Sequence, residues 1–93
     1  MGKAVDIVKR GHRKNEAFDR QKLYLGVRAA CLSTRSHEGE AMQTADRVCD
    51  AVVLWLGNKP EVTSLDIRRI ATKSLERYHP DAAYLYERHK YII

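Results

Sequence analysis

Ninety-three residues suffice for one modest hydrophobic core and not for two, so the chain reads as a single domain over residues 1–93. With 44% apolar and 31% charged residues it lies in the range of folded soluble proteins and outside that of disordered chains. Seventeen Lys and Arg against twelve Asp and Glu leave a formal charge of +5, which favours an anionic partner without choosing among nucleotide, nucleic acid and acidic protein.

Residues 5–9 alternate apolar and polar side chains, with Val5 and Ile7 on one face and Asp6 on the other, as a half-buried strand does. Residues 11–14 make a polar, basic turn, and residues 15–18 return as a second strand to complete an N-terminal hairpin. Asp19 suits a helix N-cap, because its carboxylate can accept from an otherwise orphaned backbone amide. Leu23, Val27, Ala30 and Cys31 then share one face of a first helix that ends near Thr34. Ser36 is the expected cap of a longer second helix, in which Ala41, Ala45, Val48, Cys49, Val52 and Leu56 recur at spacings of three and four. Gly57 and Asn58 stop it.

Residues 60–62 form a brief extended connector that can add a third strand beside the hairpin. Ser64 is the expected cap of a third helix that turns Ile67, Ile70, Ala71, Ser74 and Leu75 inward, with Asp66 in its positively polarised first turn. His79 and Pro80 break that helix and open a fourth, which carries Ala82, Leu85, Tyr86 and His89 inward. The predicted fold class is mainly α: a four-helix bundle capped by a small N-terminal β-hairpin or three-stranded sheet.

Several chemistries drop out. Cys31 and Cys49 lie inside helical patterns without C-x-x-C spacing, which reads as two small buried hydrophobes rather than a zinc or redox pair. No apolar run approaches the ~20 residues of a membrane span and no signal-peptide pattern opens the chain, so the expected location is the cytoplasm, with no membrane partner. There is no P-loop, no G-x-S-x-G and no His–Glu cluster at metal spacing; His12, His37, His79 and His89 stand singly, and the chain is not expected to be an enzyme. DNA is a less favoured partner, because no Cys-paired zinc ribbon or cation-rich recognition helix is evident beyond Arg68 and Arg69.

The chemistry that remains gathers at the N-terminal end. Lys9 and Arg10 leave the first strand together, Arg13 and Lys14 follow in the turn, and Lys22 lies in the first turn of the next helix. Such a group suits a polyphosphate, which Lys meets as a point charge and Arg as a forked donor. The helix starts at Asp19 and Ser64 are expected to add backbone donors and a favourable dipole.

The ordered strings Ile7-Val8-Lys9-Arg10, Glu16-Ala17-Phe18-Asp19 and Lys22-Leu23, then Val62-Thr63-Ser64-Leu65-Asp66-Ile67-Arg68, and finally Pro80-Asp81-Ala82-Ala83-Tyr84-Leu85-Tyr86, resemble the ATP-cone domain. That family is the nucleotide-sensing module of ribonucleotide reductase large subunits and of the repressor of ribonucleotide reductase genes. The resemblance spans residues 5–91 and departs from the pattern at one place: Gly11 follows Arg10 directly where the family has Asp then Gly, and the turn before Glu16 is one residue longer.

The resemblance implies that Lys9, Arg10 and Lys22 hold the phosphates, that Glu16 and Asp19 stand near the ribose and base, and that Ile7, Phe18 and Leu23 flank the adenine. It also implies that Ser64 approaches the ligand through its hydroxyl, while Arg68 stands where some relatives carry a histidine, within reach of phosphate. The implied function is a non-catalytic sensor of ATP or dATP, with Mg2+ shielding the phosphates. It would act by self-association or on a ribonucleotide reductase-type partner, and Trp55, Tyr24 and Tyr91 are candidates for that assembly. The alternative is a nucleotide-responsive, nucleic-acid-binding transcriptional regulator. In the family the module normally precedes a catalytic or DNA-binding partner.

Overall fold

The computed structural model describes residues 6–8, 16–57, 59 and 61–89, without the side chains of Asp6, Ile7, Val8, Glu16 and His89. The fold is mainly α. Strands β1 (Asp6–Val8) and β2 (Glu16–Ala17) precede helices α1 (Arg20–Ser33) and α2 (Glu38–Leu56); strand β3 (Glu61–Thr63) then leads into α3 (Ser64–Tyr78) and α4 (Pro80–His89). The strands form one sheet of order β2-β1-β3, with β1 antiparallel to β2 and parallel to β3.

The helices close a ring in which α1 packs on α2, α2 on α3, α3 on α4 and α4 back on α1. The apolar stripes read from the sequence for the first two helices, Leu23 to Cys31 and Ala41 to Leu56, are buried in the shared core, where Ile67, Ala71, Leu75, Ala82, Ala83, Tyr86 and Val62 join them. The inward face of α3 is turned from the expected one, because α3 is sandwiched between α2 and α4. Thr72 is buried, and Ile70 and Ser74 are only partly covered. On α4, Ala83 takes the place expected of Leu85, which is half-buried. Tyr24 and Trp55 pack partly against the core, whereas Tyr91 and Asn58 lie outside the described residues.

Local bonding explains where each helix starts and stops. Asp19 caps α1 as expected, its Oδ1 accepting from the amides of Gln21 at 2.9 Å and Lys22 at 3.4 Å. The exit of α1 is a Schellman turn: Ser36 N–H donates to the Cys31 carbonyl, Arg35 N–H to that of Leu32, and Arg35 takes a left-handed φ of 67°. That turn displaces the expected Ser36 cap by one residue. His37 is the N-cap of α2 and makes no side-chain capping bond, so Glu38 and Glu40 in the first turn offset the helix dipole instead. Gly57 ends α2 at a φ of 46° that strains any side chain.

The cap of α3 is Thr63, not Ser64. Thr63 Oγ1 accepts from the Asp66 amide and the Asp66 carboxylate accepts from the Thr63 amide, each at 3.1 Å, which closes a capping box. These bonds from Thr63, the backbone one first, hold the Asp66 carboxyl below its usual range.

At the α3–α4 junction, His79 Nδ1 accepts from the Ala82 amide at 3.4 Å and its Nε2 lies 2.7 Å from Thr34 Oγ1. The Thr34 hydroxyl donates to the Cys31 carbonyl at 2.7 Å, so it accepts from His79, whose proton sits on Nε2. The end of α1 is thereby tied to the start of α4. On the surface, Arg20 reaches Asp50 at 2.8 Å and Asp46 at 3.5 Å, and Arg28 reaches Glu38 at 2.9 Å, pinning both ends of the α1–α2 pair.

Candidate functional site

The sheet brings the exit of β1 to the entrance of α3. Its parallel register sets Ile7 against Val62 and Val8 against Thr63, and Thr63 is the cap from which α3 departs. The antiparallel register sets Ile7 against Glu16 on the other side. Lys9 and Arg10, which follow Val8 in sequence, lie outside the described residues, as do Arg13 and Lys14.

One turn further along α3 a cleft of about 430 Å³ opens against α4, a volume in the range of small-molecule sites. Arg68, Arg69, Thr72, Lys73 and Glu76 line it from α3, and Glu87 lines it from α4. Leu65 adds an apolar wall, and 57% of its surface is exposed.

Three polar atoms in and behind this cleft have no hydrogen-bond partner among the described residues: Arg68 Nη1, Thr72 Oγ1 and the Tyr86 hydroxyl, all of them buried. Tyr86 is wholly buried and Thr72 is 8% exposed. The Arg68 guanidinium lies 5.9 Å from the centre of the Tyr86 ring, which supports it through the ring face but supplies no acceptor for its N–H groups. Burial pushes the Tyr86 hydroxyl up to about 12, with the Arg68 charge pulling in the opposite direction. It is therefore a neutral O–H, available as a donor.

A buried donor left unpaired costs on the order of 1–3 kcal/mol, and more when it is charged. Arg68 and its neighbours thus form a polar, cation-bearing wall whose hydrogen bonding is incomplete among the described residues. An anion or a ligand rich in acceptors would complete it.

The other residues singled out from the sequence are dispersed around the α1 entrance and the sheet. Phe18 is half-buried against the core, Asp19 is exposed and engaged in capping, and Lys22 is exposed on the first turn of α1. Leu23 is 0% exposed and presents no open face. Ile7 and Glu16 are register partners in the sheet, with side chains outside the described residues. Ser64 occupies the first position of α3 and is half-buried. Among the described residues of this set, Arg68 alone lines the α3–α4 cleft.

Both helix entrances are less open to an anion than expected, since each already holds a carboxylate of its own, Asp19 at α1 and Asp66 at α3. Sequence reasoning missed Thr72, Lys73, Glu76 and Glu87 as cleft residues. Thr72 lies outside the stripe expected for α3, and only the packing of α3 against α4 turns it inward.

Among the described residues, no three His, Cys, Asp or Glu side chains cluster to hold a metal ion. Cys31 and Cys49 are free, buried thiols, each pushed up to about 11 by burial. No helix among the described residues is long and apolar enough to cross a membrane.

Comparison with protein families matches the model described as the ATP cone domain to residues 5–92. Comparison with curated proteins and with solved structures gives no match.

Proposed function

The chain belongs to the ATP-cone family, a nucleotide-binding regulatory module, and on that premise we propose that it is a non-catalytic sensor of ATP or dATP. In this reading the triphosphate lies between the exit of β1 and the first turns of α3. Lys9, Arg10 and Lys22 take the phosphates from the hairpin and α1, and Arg68 closes on them from α3. Ile7 and Phe18 flank the adenine, Leu23 is the packed layer behind it, and Glu16, Asp19 and the Ser64 hydroxyl serve the ribose and base.

The observation that carries the proposal is the buried Arg68 Nη1 without an acceptor among the described residues, one turn inside the helix whose cap is the register partner of Val8. Thr72 Oγ1 and the Tyr86 hydroxyl, equally unsatisfied, extend the same wall. The longer turn after Gly11 retains every cation that the reading uses. Magnesium enters with the nucleotide, held by the triphosphate oxygens rather than by a protein cage.

The regulatory output is linkage: nucleotide shifts an assembly equilibrium, with a second copy or a ribonucleotide reductase-type partner, by its differential affinity for the two states. Isothermal titration with ATP and with dATP, paired with sedimentation velocity on the same samples, tests both halves. The expected result is saturable binding that weakens at least tenfold in Lys9→Ala, with a change in sedimentation on saturation. Absence of saturable heat for either nucleotide up to millimolar concentration ends the proposal.

A further inference from the structure

Beyond the α3–α4 cleft, with which it shares Lys73, the seam between α3 and α2 carries two smaller clefts of about 260 and 250 Å³ that share Tyr78. Arg47 and His79 line the first, and Lys73 and Arg77 the second. Tyr78 is 46% exposed at the point where they meet, and the Arg47 guanidinium lies 5.7 Å from its ring centre.

Arg47, Lys73 and Arg77 make no ion pair among the described residues, unlike Arg20, Arg28 and Arg69, which each have a carboxylate within 4 Å. Among the described residues, no carboxylate lines the cleft between Lys73 and Arg77, and Glu40 is the one acidic residue in the other. Lys73 and Arg77 stand one turn apart on α3, about 6 Å along the helix axis, so the charge is strung along the seam rather than gathered at one point.

We propose that this seam binds a single strand of nucleic acid, with a base stacked at Tyr78 and backbone phosphates on Arg47, Arg77 and Lys73. A positive groove interrupted by an exposed aromatic is the arrangement that single strands use: charge tracks the backbone and the ring takes any base by its face. Each cleft is smaller than the roughly 300–1,000 Å³ that encloses a whole small ligand, so the pair suits successive nucleotides laid across Tyr78 better than one bound nucleotide. An acidic protein segment would meet the cations but gain little from the ring. The proposal does not rest on the nucleotide reading: it uses none of Lys9, Arg10, Lys22 and Arg68, and it shares with the α3–α4 cleft the lining residue Lys73.

The test is fluorescence anisotropy of a labelled twelve-residue oligodeoxythymidylate with the full chain. Three phosphate contacts give a log–log salt slope of about −2, or roughly 20-fold weaker binding at 200 than at 50 mM salt. Arg47→Ala/Arg77→Ala drops the slope to about −0.7 and leaves ATP binding and the circular dichroism spectrum unchanged. Tyr78→Ala weakens binding about 5- to 150-fold, while Tyr78→Phe retains it.

Lys9→Ala binds the strand as the parent does, even where it has lost ATP, which separates failure here from failure of the sensor reading. No saturable binding at 50 mM salt overturns the proposal. So does an unchanged salt slope in the double Arg variant, equal competition by polyglutamate, or displacement of the strand from Lys9→Ala by free ATP.

Discussion

Replacing Thr72 with valine tests whether its buried hydroxyl goes without a hydrogen-bond partner in the folded protein. Thr72 is 8% exposed, and its Oγ1 is buried without a partner among the described residues. Leaving such a hydroxyl unsatisfied costs on the order of 1–3 kcal/mol, and valine substitutes a methyl group of similar size on the same β-branched frame. The helix penalty is therefore unchanged while the desolvation penalty disappears.

Thr72→Val should make the free protein more stable by about 1 kcal/mol or more, and each kcal/mol raises the melting temperature of a domain of this size by about 4–8 °C. If the hydroxyl is satisfied only when nucleotide is bound, the same variant should show a smaller ATP-induced rise than the parent, by mass action on a weakened complex. Thermal unfolding followed at 222 nm, with and without millimolar ATP, measures both quantities. A variant less stable than the parent would mean that the hydroxyl is already bonded in the free chain, and the reasoning about the wall would fail.

Thr63→Ala should cost about 1 kcal/mol and Ser64→Ala only a few tenths, because the capping box runs through Thr63; urea unfolding of the pair distinguishes them, and the reverse order would return the cap to Ser64. Arg35→Gly should stabilise by about 0.5–1 kcal/mol, since Arg35 holds a left-handed φ that glycine adopts freely, and a loss of stability in the same assay would contradict the turn geometry. Leu75→Ala, at a fully buried core position, should destabilise by about 2–5 kcal/mol, read from its denaturation midpoint. Cys31 and Cys49 have thiols pushed from about 9 to about 11 by burial, so folding favours their protonated forms; the stability they lend is complete below pH 9 and lost as the pH rises towards 11. Urea midpoints should fall across that interval, and folded protein should resist a thiol reagent at pH 8 that modifies both cysteines once it is unfolded.

The fold was legible wherever one helix face meets one core. The stripes of α1 and α2 follow from spacing alone, because each of those helices buries a single band. The face of α3 was harder: packed between α2 and α4, it buries Thr72 and half-exposes Ile70 and Ser74, a rotation that no single-helix pattern encodes.

The caps show a finer limit. Thr63 and Ser64 are neighbours of equal capping chemistry, and the deciding clue was Asp66 three residues after Thr63, the spacing of a capping box. Ser36 looked like a cap until the left-handed Arg35 turn used its amide to close α1. At the site, Arg68 was found by family resemblance, but the cleft it lines depends on how α3 meets α4. Glu87 and Tyr86 stand about twenty residues from it in sequence, and only the packing brings them alongside.

In the proposed complex a triphosphate joins the cations after β1 to Arg68 on α3. The most direct measurement is the position of the phosphates in a crystal structure of the protein with ATP. Phosphate oxygens are expected within hydrogen-bond reach of both Lys9 and Arg68 Nη1. ATP bound with its phosphates away from α3, and Arg68 still without an acceptor, would contradict this arrangement.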